Sequence, residues 1–176
     1  MAVFFVAGVH GVGKTTACAK VAEILRIKHL TASQIIRAEK ESAISKKTKV
    51  VADVNTNQRY LVEGIARAMA VNDNLLLDGH FTLHTPAGLT SIPVQVFKDM
   101  NIQGVVVFSD APDRIAARMQ ARDGDTFSVE EIHLNQEMEI SHSHLVTRTL
   151  DIPLVLLNAF DRDGLEHAVA DWISVK

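Results

Sequence analysis

The sequence predicts a single α/β domain in which a parallel β-sheet carries helices on both faces. Two observations predict this fold: short continuous apolar runs typical of buried strands, and stretches with helical periodicity between them. The apolar runs cover residues 3–7, 75–77, 105–108 and 154–157. Because parallel sheets bind ligands at the carboxyl ends of their strands, we expect the functional residues in the loops after positions 7, 78, 108 and 157.

Helices are predicted where apolar residues recur on one face of an α-helix. Three such faces are Ala17, Cys18, Val21, Ile24 and Leu25; Leu61, Val62, Ile65 and Met69; and Leu165, Ala168, Val169, Trp172 and Ile173. Ser128 and Glu131 form a capping box that begins a further helix reaching about residue 149. Pro112 suits the first turn of another helix.

Composition narrows the class of protein. The chain has 176 residues, of which 47% are hydrophobic and 22% charged, so it is neither disordered nor a membrane protein. The longest apolar run, residues 2–7, is far too short to cross a bilayer, and we expect no signal peptide. The single cysteine, Cys18, favours a reducing cytoplasm. The net charge of −3 argues against broad nucleic-acid binding.

The loop after the first strand carries the most specific motif. Residues 8–15 read GVHGVGKT and satisfy the pattern G-x-x-x-x-G-K-[ST]. Glycines let backbone N–H groups approach phosphate oxygens, and the following helix adds its positive N-terminal end. We therefore expect a nucleoside triphosphate here, with Lys14 at the β- and γ-phosphates and Thr15 on Mg²⁺. The expected nucleotide contacts are Gly8, Gly11, Val12, Gly13, Lys14, Thr15 and Thr16.

Asp78 ends the second buried run and is the second candidate metal residue. A carboxylate at this strand end would lie beside the magnesium site and hold a metal-bound water. An Asp-Gly pair after a strand is by itself often only a turn. Together with the phosphate loop, it predicts Mg²⁺ held by Thr15 and Asp78.

Four stretches resemble the P-loop nucleoside monophosphate kinase group, particularly archaeal-type adenylate kinases and related bacterial P-loop kinase-like ATPases. They are AGVHGVGKTT, LLLDGHFTLHTPAGLTSIPVQVF, VVVFSDAPDRIAARMQARD and EEIHLNQEMEISHSHL. The resemblance implies a three-layer P-loop NTPase fold with a five-stranded parallel sheet and a short lid. It also implies that the protein binds ATP and Mg²⁺ and transfers a phosphoryl group to a small acceptor, for which a nucleotide is the leading candidate. Within one domain of residues 1–176, it places the acceptor-binding helices at about 31–71 and the lid at about 122–131.

The resemblance also implies roles for single residues. Arg37 would grip the acceptor phosphate, and Arg59 is either a second clamp or part of a solvated helix face. Arg118 would pack on the adenine and Arg122 would contact the transferring phosphate, unless the two are an ordinary exposed cationic pair. Asn158 matches the segment whose backbone cups the adenine.

The sequence departs from the family pattern in two places. Residues 123–131 contain no cation, so the lid is short and acidic, and Arg148 is too far along its helix to replace one. An arginine near the Asp-Gly segment is replaced by His80, which either contacts substrate or is satisfied by backbone. We expect the proximity of Asp78 to raise the pKa of His80.

Three functions compete at this point. The leading one is an ATP-dependent kinase of a nucleoside monophosphate or similar small acceptor, with Lys14, Arg118 and Arg122 stabilising the transferred phosphoryl group. The alternative is a nucleotide-binding regulatory ATPase with weak or no kinase activity, favoured by the acidic lid. A kinase of an RNA end is a third, against which the net charge argues.

Overall fold

A computed structural model describes residues 1–45, 54–124 and 126–175. In chain order the elements are β1 (Ala2–Ala7), α1 (Lys14–Leu25), β2 (Lys28–Thr31), α2 (Ala32–Ser45), α3 (Val54–Met69), β3 (Asn74–Asp78), β4 (Thr82–Thr85), β5 (Gly88–Ser91), α4 (Val94–Asp99), β6 (Ile102–Ser109), α5 (Pro112–Asp123), α6 (Val129–Leu150), β7 (Leu154–Asn158) and α7 (Arg162–Ser174). Part of the predicted acceptor-binding region, 46–53, and residue 125 of the predicted lid lie outside the described residues.

The main sheet has five parallel strands in the order β2-β3-β1-β6-β7, which confirms the predicted fold class. The central strand β1 pairs with β3 on one side and β6 on the other, so Val6 lies opposite both Asp78 and Val106. This register brings the ends of β1 and β3 together. The phosphate loop and Asp78 therefore lie at the same edge of the sheet, as predicted.

Alternate side chains of β1 enter two different cores. Phe4 and Val6 pack with Cys18 of α1 and with the apolar face of α7, whose Trp172 ring lies 5.7 Å from that of Phe4. On the other face of the sheet, residues of α3, α4 and α6 cover the alternate β1 residues, Val3 and Phe5. A strand buried on both faces has no polar side, which is why β1 and β6 read as continuous apolar runs.

Two features of the fold have no strong signal in the sequence. The edge strand β2 has the sequence KHLT, which lacks the apolar run of a central strand. The segment between β3 and β6 contains an antiparallel hairpin of β4 and β5, followed by the short helix α4. Among the helices of the described ranges, none is both long and apolar enough to cross a membrane.

The two predicted helix starts are confirmed. Ser128 caps α6 by accepting a hydrogen bond from the Glu131 amide at 3.2 Å, and the helix runs to Leu150. Pro112 occupies the first turn of α5. These helices border the predicted lid, and they direct side chains of α5 and α6 toward the phosphate loop and the segment after Asp78.

Candidate active site

The phosphate loop joins β1 to α1 through backbone conformations that favour glycine. Gly8, Gly11 and Gly13 have φ values of 137°, 81° and 102°. A Cβ on Gly8 would also lie 2.5 Å from the Phe108 carbonyl oxygen, so no other residue fits there. The side chain of Val12 is fully buried in the core, so only its backbone could contact a ligand.

Lys14 lies across this loop and is nearly buried. Its Nζ donates to the carbonyl oxygens of Gly8 at 2.8 Å and Val9 at 3.2 Å. Burial lowers the pKa of Lys14, although the charges of Asp78 and Glu139 oppose this shift. The ammonium is thus held beside the loop amides by two neutral acceptors, and a phosphate there would add a negative charge in direct contact with it.

Thr15 and Asp78 form the oxygen pair of the site. The Thr15 hydroxyl lies 2.5 Å from Asp78 Oδ2, and Asp78 is only 5% exposed. Hydroxyl and carboxylate oxygens are suitable ligands for Mg²⁺, which usually keeps waters and phosphate oxygens in the rest of its shell. The part of the chain that the structure describes contains no cluster of three or more His, Cys, Asp or Glu side chains that could hold a metal. The donor set therefore fits Mg²⁺ bound together with a nucleotide.

Arg118 of α5 is fixed against the loop by several contacts. Its Nη1 donates to Asp110 Oδ2 at 2.8 Å, and its Nε donates to the Gly11 carbonyl at 3.1 Å. Its guanidinium carbon lies 5.1 Å from the centroid of the Phe160 ring. Although burial opposes the shift, the hydrogen bond from Arg118 lowers the pKa of Asp110. Arg118 is therefore an ordered, half-buried cation and not half of a freely solvated pair.

Arg122, one turn further along α5, is more exposed. Its Nε donates to Asp123 Oδ1 at 2.6 Å, and its Nη2 lies 2.5 Å from His10 Nε2. Burial and the charge of Arg122 lower the pKa of His10, so this imidazole is neutral at pH 7 and able to accept from the guanidinium. The carboxylate of Asp123 offsets the positive charge that Arg122 brings to the loop.

The N-terminal end of α1, the phosphate loop and the arginines of α5 border one cleft of about 260 Å³. It is lined by His10, Gly11, Gly13, Lys14, Thr15, Thr16, Arg118, Arg122 and Phe160. The structure thus brings five of the seven predicted phosphate-loop residues and both α5 arginines together, whereas Gly8 and Val12 are not among the described residues of the lining. Asn158 is not one of the described residues that line the cleft, whereas Phe160, two positions later, is.

A second cavity, of about 160 Å³, lies behind the segment that follows Asp78. It is lined by Phe5, Ala32, Ser33, Ile36, Gln58, Leu61, His80, Leu83, Ile92, Phe97 and Met100. The predicted acceptor residue His80 is on its wall. Arg37 and Arg59 do not belong to the described lining; both are exposed, and Arg59 Nε lies 3.8 Å from Glu63 Oε1 on the same helix. For Arg59 this contact matches the solvated helix face that was the alternative.

The segment after Asp78 is anchored by Glu139 of α6, which is fully buried. The carboxylate accepts hydrogen bonds from the Phe81 amide at 3.0 Å, the Thr82 amide at 2.8 Å and the Thr82 hydroxyl at 2.6 Å. Burial raises the pKa of Glu139, while these hydrogen bonds act in the opposite direction. His80 Nδ1 lies 4.0 Å from this carboxylate. Helix α6 therefore sets the position of the residues directly after Asp78.

Comparison with known proteins decides the family. A family model described as an AAA domain matches residues 7–133, which include the phosphate loop, Asp78 and the arginines of α5. The chain belongs to this family of P-loop kinases. An adenylate kinase from Methanothermobacter thermautotrophicus is 30% identical over 99% of both chains. An adenylate kinase from Pyrococcus horikoshii is 23% identical over 98% of this chain and 94% of its own.

Solved structures support the P-loop kinase fold. A gluconokinase from Sinorhizobium meliloti superposes with a TM-score of 0.55 at 12% identity, over 99% of this chain and 93% of its own. An uncharacterized protein from Eubacterium ventriosum gives a TM-score of 0.54 at 12% identity over the whole of both chains. At this level of identity the likeness establishes the fold alone.

One electrostatic prediction from the sequence is wrong. Partial burial, with the positive charge of Lys14 and the neighbouring His10, lowers the pKa of His80 to about 3. The expected rise from Asp78 does not occur, because the cost of burying a charged imidazole, together with the positive charge of Lys14, sets the direction of the shift. In this P-loop kinase fold His80 is therefore a neutral imidazole at pH 7.

Glu139 and Phe160 are the two site residues that sequence reasoning missed. Glu139 lies among polar residues of a long helix, and nothing in that pattern shows that its face is buried. Phe160 follows the last strand as one aromatic residue in a polar turn. The burial of Glu139 and the position of the Phe160 ring at the cleft both depend on elements that are distant in the sequence. Residue spacing therefore could not have identified either of them.

The lowered pKa of His80 predicts a loss of stability in acid. Below pH 6.5 the unfolded chain takes up a proton at this histidine that the folded chain does not accept until about pH 3. We therefore expect the free energy of unfolding to fall as the pH is lowered from 6.5 to 4, and to fall less steeply in His80→Asn. Urea denaturation at pH 7, 5.5 and 4.5 measures both slopes. Parallel slopes in the two proteins would contradict the prediction.

Proposed function

We propose that this chain is an ATP-dependent kinase that transfers the γ-phosphoryl group of Mg-ATP to a nucleoside monophosphate. The observation that carries the proposal is the position of Asp78. Its carboxylate accepts a hydrogen bond from the hydroxyl of Thr15, which lines the phosphate-loop cleft. His80, two residues later, lines the apolar cavity. The cleft and the apolar cavity thus approach each other at one strand end, which is the arrangement that a donor site and an acceptor site require.

We assign the residues of the cleft separate roles in phosphoryl transfer. An acceptor phosphate oxygen forms a bond to the γ-phosphorus as the bond to the β,γ-bridging oxygen breaks, and ADP leaves. Thr15 and Asp78 would hold Mg²⁺, which when bound neutralises charge on the β- and γ-phosphates. Lys14, Arg118 and Arg122 are the cations among the described residues that line this cleft, and catalysis of this reaction is mainly positioning and electrostatic stabilisation.

The composition of the acceptor cavity favours a nucleobase over a sugar. Most of its lining is apolar, with Ser33, Gln58 and His80 as the polar exceptions. A polyhydroxylated acceptor would leave hydroxyl groups buried without partners, which is costly, whereas a flat base presents two apolar faces. This supports the activity named for the adenylate kinase relatives over that of the gluconokinase. Arg37, on α2 with Ser33, is our candidate for the acceptor phosphate.

An acceptor screen tests the proposal. The full chain is incubated with Mg-ATP and, separately, AMP, CMP, GMP, UMP, deoxynucleoside monophosphates and gluconate, and ADP and phosphorylated product are quantified. We expect product from at least one nucleoside monophosphate and none from gluconate. The Lys14→Ala variant, purified in the same way, excludes a contaminating kinase. Equal ATP loss with and without every acceptor would overturn the proposal.

A regulatory ATPase is the second candidate, and one observation favours it. Arg122, the arginine nearest the lid, is paired with Asp123, and residues 123–131 supply no further cation. A lid with few positive charges would allow ATP to bind but would not close efficiently over the γ-phosphate. This function predicts ATP binding and a nucleotide-dependent change in oligomer size, with no acceptor dependence. Size-exclusion chromatography with and without Mg-ATP measures that change.

A further inference from the structure

The two α5 arginines of the cleft are held in different ways. Arg118 donates to Asp110 and to the Gly11 carbonyl, and within the described chain its Nη2 is buried without a hydrogen-bond partner. Arg122 instead presents its Nε and Nη2 to one carboxylate, that of Asp123. Arg118 therefore keeps one donor unused, whereas a two-donor edge of Arg122 is already occupied.

The contact between Arg122 and Asp123 has the form in which a guanidinium binds a phosphate. Nε lies 2.6 Å from Oδ1 and Nη2 lies 2.5 Å from Oδ2, so a pair of hydrogen bonds joins the two groups. The same two-donor geometry binds carboxylates and phosphates. Because Arg122 lines the phosphate cleft, a triphosphate bound there must compete with Asp123 for these donors.

Helix stability does not explain an acid at position 123. Asp123 is the last residue of α5, where the negative end of the helix disfavours a carboxylate. The helix is ended by the next residue, Gly124, whose φ is 78° and whose amide donates to the Gln120 carbonyl at 2.9 Å. Asp123 is also exposed, so packing does not require its side chain. The contact with Arg122 is therefore the feature that its carboxylate adds to the cleft.

His10 holds the same guanidinium from the side of the phosphate loop. Its Nε2 lies 2.5 Å from Arg122 Nη2. The imidazole is a neutral acceptor, so it fixes the arginine without offsetting its charge. Once Asp123 is displaced, the contact with His10 keeps Arg122 at the cleft with its positive charge available.

We propose that the ion pair of Arg122 and Asp123 is an autoinhibitory contact, in which Asp123 occupies the arginine until the phosphates of a nucleotide displace it. In the unbound protein the carboxylate blocks the guanidinium and also adds a negative charge beside the cleft. Only molecules in which this pair is broken bind phosphate fully, so the apparent affinity is reduced by their fraction. The inference rests on the nucleotide binding of the proposed function but not on its acceptor.

Phosphate binding by a charge-free variant tests the proposal. Isothermal titration of the full chain with inorganic tripolyphosphate and with Mg-ATP is compared for wild type and Asp123→Asn, which keeps the size of the side chain. We expect Kd for both ligands to fall by about 2- to 10-fold, since an exposed ion pair is weak and only its loss is saved. Asp113→Asn removes an exposed acid from the first turn of the same helix and should leave both Kd values unchanged.

A background without the arginine separates competition for Arg122 from a general effect of charge. In Arg122→Ala, the further substitution Asp123→Asn should no longer lower Kd for tripolyphosphate, because no guanidinium is left to release. An equal gain with and without Arg122 would show that Asp123 acts only by repelling the ligand, and would overturn the inference. No gain in the wild-type background would overturn it as well.

Thermal unfolding and the acceptor screen complete the test. Removal of a carboxylate from the end of α5 should leave the melting temperature of Asp123→Asn equal to or above that of wild type. A lower melting temperature together with weaker binding would assign Asp123 a structural role and overturn the inference. Tighter binding in Asp123→Asn without phosphorylation of any acceptor would instead overturn the proposed function and support the autoinhibitory contact.

Discussion

The Lys14→Ala variant is expected to lose phosphoryl transfer by at least about 100-fold, because it removes a buried cation from the place where charge develops on the transferred group. Lys14 has the geometry for this role: it is 6% exposed, and its Nζ already lies against the carbonyls of Gly8 and Val9. Alanine also leaves those two carbonyls without their donor. Initial rates of ADP formation at saturating acceptor measure the effect.

Lys20 provides the matched control for this prediction. It lies on the same helix, but its side chain is 63% exposed and forms an ion pair with Glu23, which is also exposed. Lys20→Ala removes the same charge from α1 without touching the cleft, so we expect a rate within about twofold of wild type, since exposed ion pairs contribute little. A comparable loss in both variants would show that the net charge of α1, and not the position of Lys14, sets the rate.

The Glu139→Ala variant is expected to lower the free energy of unfolding by about 3 kcal/mol or more, because it leaves the buried amides of Phe81 and Thr82 without their acceptor. The amides of Phe81 and Thr82 and the Thr82 hydroxyl all donate to this one carboxylate. It also opens a void beneath the segment that follows Asp78. Urea denaturation at pH 7 measures the change.

Two further variants distinguish the role of this carboxylate from a general effect of charge on α6. Glu137→Ala removes an exposed acid two residues away and should change the free energy of unfolding by less than about 0.5 kcal/mol. Glu139→Gln keeps the shape and one acceptor oxygen, so its loss should lie between those of the two alanine variants. If Glu137→Ala and Glu139→Ala were equally unstable, the hydrogen bonds of Glu139 would not explain its effect.

The sequence was most informative where a local pattern has a single physical cause. The motif GVHGVGKT predicts a phosphate loop, because its glycines and lysine are needed within one turn of backbone. Continuous apolar runs predict central parallel strands, and a serine three residues before a glutamate predicts the start of α6. Each of these predictions depends on residues that are neighbours in the chain, and the structure confirms each one.

The tertiary structure decided what depends on distant neighbours. It paired Thr15 with Asp78, 63 residues apart, and placed Glu139 against Thr82, 57 residues apart. It also reversed the expected pKa shift of His80, because burial and Lys14 act on that imidazole through space. The sequence by itself determined the strands β1, β3, β6 and β7 and the phosphate loop, whose signals are local, and its motifs resembled the family that the comparisons then established. Which acid is buried, which arginine is held against the phosphate loop and which ring faces the cleft follow only from packing, since burial and electrostatic fields depend on the whole fold.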